Sequence, residues 1–166
     1  MVPTSYCLSC DRKVEVGADV RRCPVCGAEL VQTFDPDGDA RAPAARSVLV
    51  VDDDEDIRHA LRLLFEVEEF EVVGEAANGT DAVWLAASCR PALIVLDYAM
   101  PGMTGEQTAV LLRKILPEAR IVAFSAILDE KPPWADAYLN KDRIGEIAPL
   151  LARLVASGAA AAEAAS

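Results

Sequence analysis

From residue 47 onward, short apolar runs alternate with stretches whose apolar positions recur every three or four residues. Ser47 to Val51, SVLVV, is small or apolar throughout and mostly β-branched, which predicts a parallel strand buried on both faces. Ile57 to Glu66 carries apolar residues at Ile57, Leu61, Leu64 and Phe65, a helical spacing. The alternation continues with a strand at Glu71 to Ala76, then a helix from Gly79 to Ala87 containing Ala82, Val83 and Ala86. Arg90-Pro91 stops the chain before a third buried strand, Ala92 to Leu96, which ends at Asp97. A helix from Gly105 to Leu116, a strand at Arg120 to Ser125, a short one at Ala137 to Leu139 and a helix within Gly145 to Val155 complete the series. Such alternation with short connections predicts a doubly wound parallel sheet with its ligand site at the strands' C-terminal ends.

The first strand runs straight into five acids, Asp52, Asp53, Asp54, Glu55 and Asp56. Carboxylates gathered at a strand end repel one another unless something positive sits among them, and a divalent cation answers that need. Asp54 and Glu55 are also well placed to cap and charge the start of the next helix.

The first 32 residues follow another pattern. Four of the five cysteines fall in two pairs, Cys7-Leu-Ser-Cys10 and Cys23-Pro-Val-Cys26, with Gly27 directly after. Two residues between cysteines let one tight turn aim both sulfurs at a point, so two such turns supply the four thiolates of a tetrahedral Zn²⁺ site. Two disulfides are the alternative reading, disfavoured in a reducing compartment. Lys13 to Val16 and Val20 to Arg22 read as short strands joined by a turn. The arrangement resembles a zinc ribbon, 1–32, in which the metal is structural and supplies most of the folding free energy. Residues 33–46, TFDPDGDARAPAAR, read as a linker.

Charge narrows the partners. The formal net charge is -11, and from residue 47 on there are 20 acids against 10 bases. Phosphate backbones demand basic surface, so nucleic acid is not expected as a main partner. The apolar runs fall short of a membrane span, and the N-terminus lacks a basic segment followed by an apolar core; a cytoplasmic protein is expected.

With these residues in hand, Ser47 to Val155 resembles the receiver domain of two-component response regulators. Asp52 and Asp53 match the acidic pair after the first strand, and Asp97 the phosphoacceptor after the third. Asp97-Tyr-Ala-Met-Pro-Gly-Met-Thr-Gly105 has the form D-x-x-M-P-x-x-x-G, Ser125 matches the hydroxyl residue after the fourth strand, and Lys141 the lysine after the fifth. Tyr138 matches the aromatic switch residue, although its position is equally that of a half-buried strand aromatic.

The resemblance implies a flavodoxin-like α/β fold, a five-stranded sheet in the order 2-1-3-4-5. It implies Mg²⁺ bound by Asp53 and Asp97 directly, by Asp52 through water and by the Ala99 carbonyl. It further implies a phosphoryl group taken from a sensor histidine kinase or phosphotransfer protein, with Lys141 and Ser125 on its oxygens. The function so implied is that of a stand-alone response regulator, a signalling domain and not an enzyme, answering to a downstream protein not named by the sequence. The alternatives are a transcription-associated adaptor whose ribbon contacts RNA polymerase or nucleic acid, and a pseudo-receiver scaffold uncoupled from phosphorylation.

One departure from the family matters. Receivers fit a full helix before the fifth strand, but Ala126 to Asn140 here contains Pro132-Pro133, so that helix is short or missing. Trp134 then covers the sheet or meets a partner, with packing the favoured role. After Val155 the chain reads SGAAAAEAAS; 156–166 is expected to be a disordered Ala-rich tail.

Overall fold

The computed structural model describes residues 4–7, 12–15, 31–32 and 45–164, with side chains from 45 to 158. Thr4–Cys7 (β1), Arg12–Glu15 (β2) and Val31–Gln32 (β3) form an antiparallel sheet in the order β2-β1-β3. The sequence placed a strand at Lys13 to Val16 and paired it with Val20 to Arg22. The described partner of β2 is β1, with Cys7 opposite Arg12, a strand that the sequence reading had not placed. Cys10, Cys23, Cys26 and the Val20 to Arg22 strand lie outside the described residues, as does nearly all of the 33–46 linker.

The larger unit alternates as expected: Ser47–Val51 (β4), Glu55–Val67 (α1), Glu71–Ala76 (β5), Gly79–Cys89 (α2), Leu93–Leu96 (β6), Gly105–Ile115 (α3), Arg120–Ser125 (β7), Ala137–Asn140 (β8) and Ile147–Ala164 (α4). The five strands are parallel, in the order β5-β4-β6-β7-β8, which is 2-1-3-4-5 counted within this unit. All five residues of β4 and all four of β6 are buried, which is why these central strands, after Ser47, are continuously apolar instead of alternating.

Alternation survives in which face each residue serves. Leu49, Val51, Ile94, Leu96 and Ile121 pack with α2 and α3 through Ala82, Val83, Ala86, Ala109 and Leu112. Val48, Val50, Leu93, Val95 and Val122 pack on the opposite face with Leu61 and Phe65 of α1 and Ile147 and Leu151 of α4. Each large side chain fully buried in this way contributes about 1.5–3 kcal/mol.

No helix lies between β7 and β8, where Pro132-Pro133 implied a short or missing one. The gap falls on the α2 and α3 face, and there the half-buried Trp134 packs against the core cluster. The segment is held by a clamp invisible in the sequence. Asp136 Oδ2 accepts from Ile121 N–H at 2.7 Å and from Arg113 Nη2 at 2.6 Å, and Oδ1 from Arg120 at 3.3 Å. Arg113, at the end of α3, also donates to the carbonyls of Ala119 and Trp134.

The C-terminus departs from expectation. A 3₁₀ turn, Lys141–Glu146, precedes α4, which runs past Val155 to Ala164 and leaves no tail beginning at 156. Pro149 is the third residue of that helix, within the first turn, where its missing N–H costs nothing. Gly158 alone cannot end the helix, and the alanines that follow are the best helix formers.

Candidate functional site

The sheet's C-terminal edge gathers the predicted residues because each sits within a residue or two of a strand end. The β-ladder continues one step past the strands themselves. Asp52 N–H donates to the Ala76 carbonyl at 3.1 Å and Asp97 N–H to the Val51 carbonyl at 2.8 Å. Both acids are thereby held as firmly as strand residues while their side chains reach the edge. Asp52 is 1% exposed and Asp97 3%.

Between them lies Lys141, the residue directly after β8. Its Nζ is 2.7 Å from Asp52 Oδ2 and 3.1 Å from Asp97 Oδ2. Asn140 fixes the point from which Lys141 departs, its side-chain oxygen accepting from Asp142 N–H at 2.9 Å and capping the 3₁₀ turn. Burial pushes the Asp52 carboxyl above the usual range despite the ammonium beside it. Burial acts to lower Lys141, but the carboxylates of Asp52 and Asp97 outweigh it and hold the ammonium above its ordinary value.

Asp53 completes the cluster on the exposed side. One carboxylate oxygen from each of Asp52, Asp53 and Asp97 lies within 4.8 Å of the others. Three carboxylates against one ammonium leave a net negative cluster, and Asp52 Oδ2, although ion-paired, has no aligned hydrogen-bond donor among the described residues. An all-oxygen donor set with surplus charge and one open side suits Mg²⁺, a hard cation that keeps several of its waters. Ala99 follows in the loop after β6, its N–H 3.4 Å from Asp97 Oδ1.

The hydroxyl residues lie on the next two strands. Ser125, 1% exposed, ends β7 opposite Asn140, and its Oγ accepts from Ile127 N–H at 3.3 Å. Tyr138, half-buried, lies opposite Ala123, and its hydroxyl donates to the Leu128 carbonyl in the helix-free segment. Tyr138 therefore holds that segment rather than bonding to Ser125.

The carboxylate run divides as expected. Asp54 caps α1, its Oδ1 accepting from Asp56 and Ile57 N–H, while its own N–H donates to Asp52 Oδ1 at 3.0 Å. His59 lies exposed on α1 and Cys89 is an exposed free thiol at the end of α2, both away from the cluster.

Two features of the site escaped the sequence reading of chemistry. Gly105 has ordinary backbone angles, but a Cβ there would come within 2.3 Å of the Asp97 carbonyl oxygen and 2.8 Å of Tyr98 Cα. The last glycine of the D-x-x-M-P-x-x-x-G run is thus a matter of space: α3 starts directly against the backbone of the loop carrying Asp97, and Gly105 N–H donates to the Tyr98 carbonyl at 2.8 Å. The second is Arg58, whose guanidinium reaches back to the carbonyls of Asp52 and Asp53. A lone base inside an acidic helix start was its only trace in the sequence.

Comparison with known proteins agrees with this geometry. A family model described as response regulator receiver domain matches residues 48–141. The nitrate/nitrite response regulator protein NarL of Escherichia coli K12 is 39% identical over 103 residues, 58% of this chain and 48% of that protein. The response regulator protein VraR of Staphylococcus epidermidis is 36% identical over 104 residues, 58% of this chain and 50% of that protein. The chain thus spans about half the length of the curated relatives it matches. Among solved structures, a DNA-binding response regulator of the LuxR family from Staphylococcus aureus is 27% identical, with a TM-score of 0.58 over 66% of this chain and 98% of that one.

Proposed function

The chain belongs to the response regulator receiver domain family, and we propose that it accepts a phosphoryl group on Asp97 from a phosphohistidine of a sensor kinase or phosphotransfer protein. The observation that carries this reading is the pair of nearly inaccessible carboxylates, Asp52 and Asp97, sharing one ammonium beside the exposed Asp53. An Asp97 carboxylate oxygen attacks phosphorus; the O–P bond forms as the P–N bond breaks. The electron pair stays with the departing imidazole, which takes a proton from solvent, and the product is an acyl phosphate. Asp53, Asp97, Asp52 and the Ala99 carbonyl would hold Mg²⁺, which when bound would supply positive charge to the phosphoryl oxygens. Lys141 adds a point charge already poised on Asp97, and Ser125 turns its hydroxyl toward the same oxygens, giving up its bond from Ile127 N–H.

The response follows from that exchange. Drawing Ser125 inward alters the start of the segment that Tyr138 holds at Leu128, so a pre-existing equilibrium shifts toward a surface read by a partner protein. Incubation with Mg²⁺ and a small phosphodonor tests the acceptor role by intact mass. One added phosphoryl group in the wild type and none in Asp97→Ala supports it; no addition to either contradicts it.

Cys7, Cys10, Cys23 and Cys26 are assigned to structural Zn²⁺ in the same proposal. Supporting this, Cys7 ends β1 opposite Arg12, the first residue of β2, and β3 begins opposite Tyr6, five residues after Cys26. Metal analysis of the purified chain, compared with Cys23→Ser, tests it. A second reading, nucleic-acid contact, is favoured by the DNA-binding S. aureus relative; given the acidity of the receiver unit, it would fall to another part of the protein.

A further inference from the structure

We infer that Arg58 is a positioning residue for the cation site, resting on the Mg²⁺ reading above. The chain leaves the sheet at Asp52 and Asp53, so their carbonyls pass out of the β-ladder and need other donors. One guanidinium supplies them: Arg58 Nη1 lies 2.8 Å from the Asp52 carbonyl and 3.2 Å from that of Asp53. Arg58 is itself anchored in the first turn of α1, its N–H donating to the Asp54 carbonyl at 3.1 Å, and Asp54 caps that helix. The acidic turn is therefore closed on itself. Asp54 ties the Asp52 side chain to the helix start, and Arg58 ties the backbone of both acids to the same turn.

What makes Arg58 unusual here is where it does not bind. An arginine in an acidic run ordinarily pairs with a carboxylate, yet none of the ion pairs among the described residues joins Arg58 to Asp52, Asp53 or Asp97. Its Nη1 serves the two carbonyls, and the carboxylate oxygens of Asp52 and Asp97 are left to Lys141 and to the cation. Outer partners that orient metal ligands without touching the metal are worth about 10–100-fold in affinity.

Position and charge predict opposite signs, and this makes the inference testable. If Arg58 acted only as a nearby positive charge, its removal would tighten Mg²⁺ binding. If it positions Asp53, removal loosens binding. Calorimetric titration of the full chain with Mg²⁺ decides, using wild type and Arg58→Met, which keeps the apolar stem. About tenfold weaker binding in Arg58→Met, partly restored in Arg58→Lys, is expected. Equal or tighter binding by Arg58→Met overturns the inference while leaving the Mg²⁺ reading intact. A wild type that takes up no Mg²⁺ overturns both. Should Arg58→Met fail to fold, Arg58→Gln decides by the same criterion.

Discussion

Replacing Asp136 should cost the fold more than any other single surface-side carboxylate, because this residue does part of the work of the missing helix. Three donors converge on it, and they are not equivalent. Ile121 is fully buried, so Asp136→Ala strands its N–H without an acceptor, at about 1–3 kcal/mol. The Arg113 pair is short, but its side chains are 32% and 20% exposed; discounted for solvent, it contributes about 1 kcal/mol. Arg120, 43% exposed and at 3.3 Å, adds little. Asp136→Ala should therefore lose about 2–4 kcal/mol, and Asp136→Asn, which keeps an oxygen for Ile121, about 1 kcal/mol.

The pH dependence follows from the carboxyl's titration. Burial works against the charged form of Asp136, but Arg113, Ile121 N–H and Arg120 together hold its pKa below the usual range. A lowered folded-state pKa means that the contribution is fully present above the unfolded value of about 4 and is lost as pH falls through the folded value. The gap between wild type and Asp136→Asn should thus be constant near neutrality and close below about pH 4. Urea unfolding followed by tryptophan fluorescence measures it, Trp134 being two residues from the clamp. A loss below about 0.5 kcal/mol in Asp136→Ala, or a wild-type to Asn gap that does not shrink on acidification, would refute the assignment of the clamp.

Three other outcomes are expected. Asp53→Asn removes one of three clustered negative charges, so without divalent cations its melting temperature should rise by a few degrees, while added Mg²⁺ should no longer stabilise it; a melting temperature still climbing with Mg²⁺ contradicts the donor set. Gly105→Ala forces a methyl against the Asp97 carbonyl, and should lose about 1–3 kcal/mol in thermal or urea unfolding; a neutral result would mean that the loop yields. Tyr138→Phe removes the hydroxyl donor to Leu128, and should cost about 1 kcal/mol and speed amide exchange across 126–136; unchanged exchange shows that the segment is held by other contacts.

Much of this architecture was legible in the residue pattern, for a physical reason. Parallel strands buried on both faces must be continuous apolar runs, so β4 and β6 announce themselves, and the polar residue that ends such a run has little choice but to face the sheet's edge. Asp52 and Asp97 were readable on that ground, Ser125 only through the family resemblance, and Pro132-Pro133 marked the helix before β8 as short or missing. What depended on reach was not readable. Arg58 reaches back to carbonyls, Asp136 meets an arginine 23 residues earlier, and Tyr138 turns to Leu128, all set by tertiary register. The extension of α4 was missed for a local reason: Ser157-Gly158 looks like a stop, yet one glycine costs only about 1 kcal/mol relative to alanine before an alanine-rich run.

The central claim is that phosphoryl transfer ends on one carboxylate, and its chemistry leaves a direct mark. Borohydride reduces an acyl phosphate to an alcohol, converting a phosphorylated aspartate to homoserine. Peptide mapping after treatment with Mg²⁺, a small phosphodonor and borohydride should find homoserine at position 97, and none there when Mg²⁺ is withheld. Conversion at Asp52 or Asp53 instead, or none anywhere, would contradict the account.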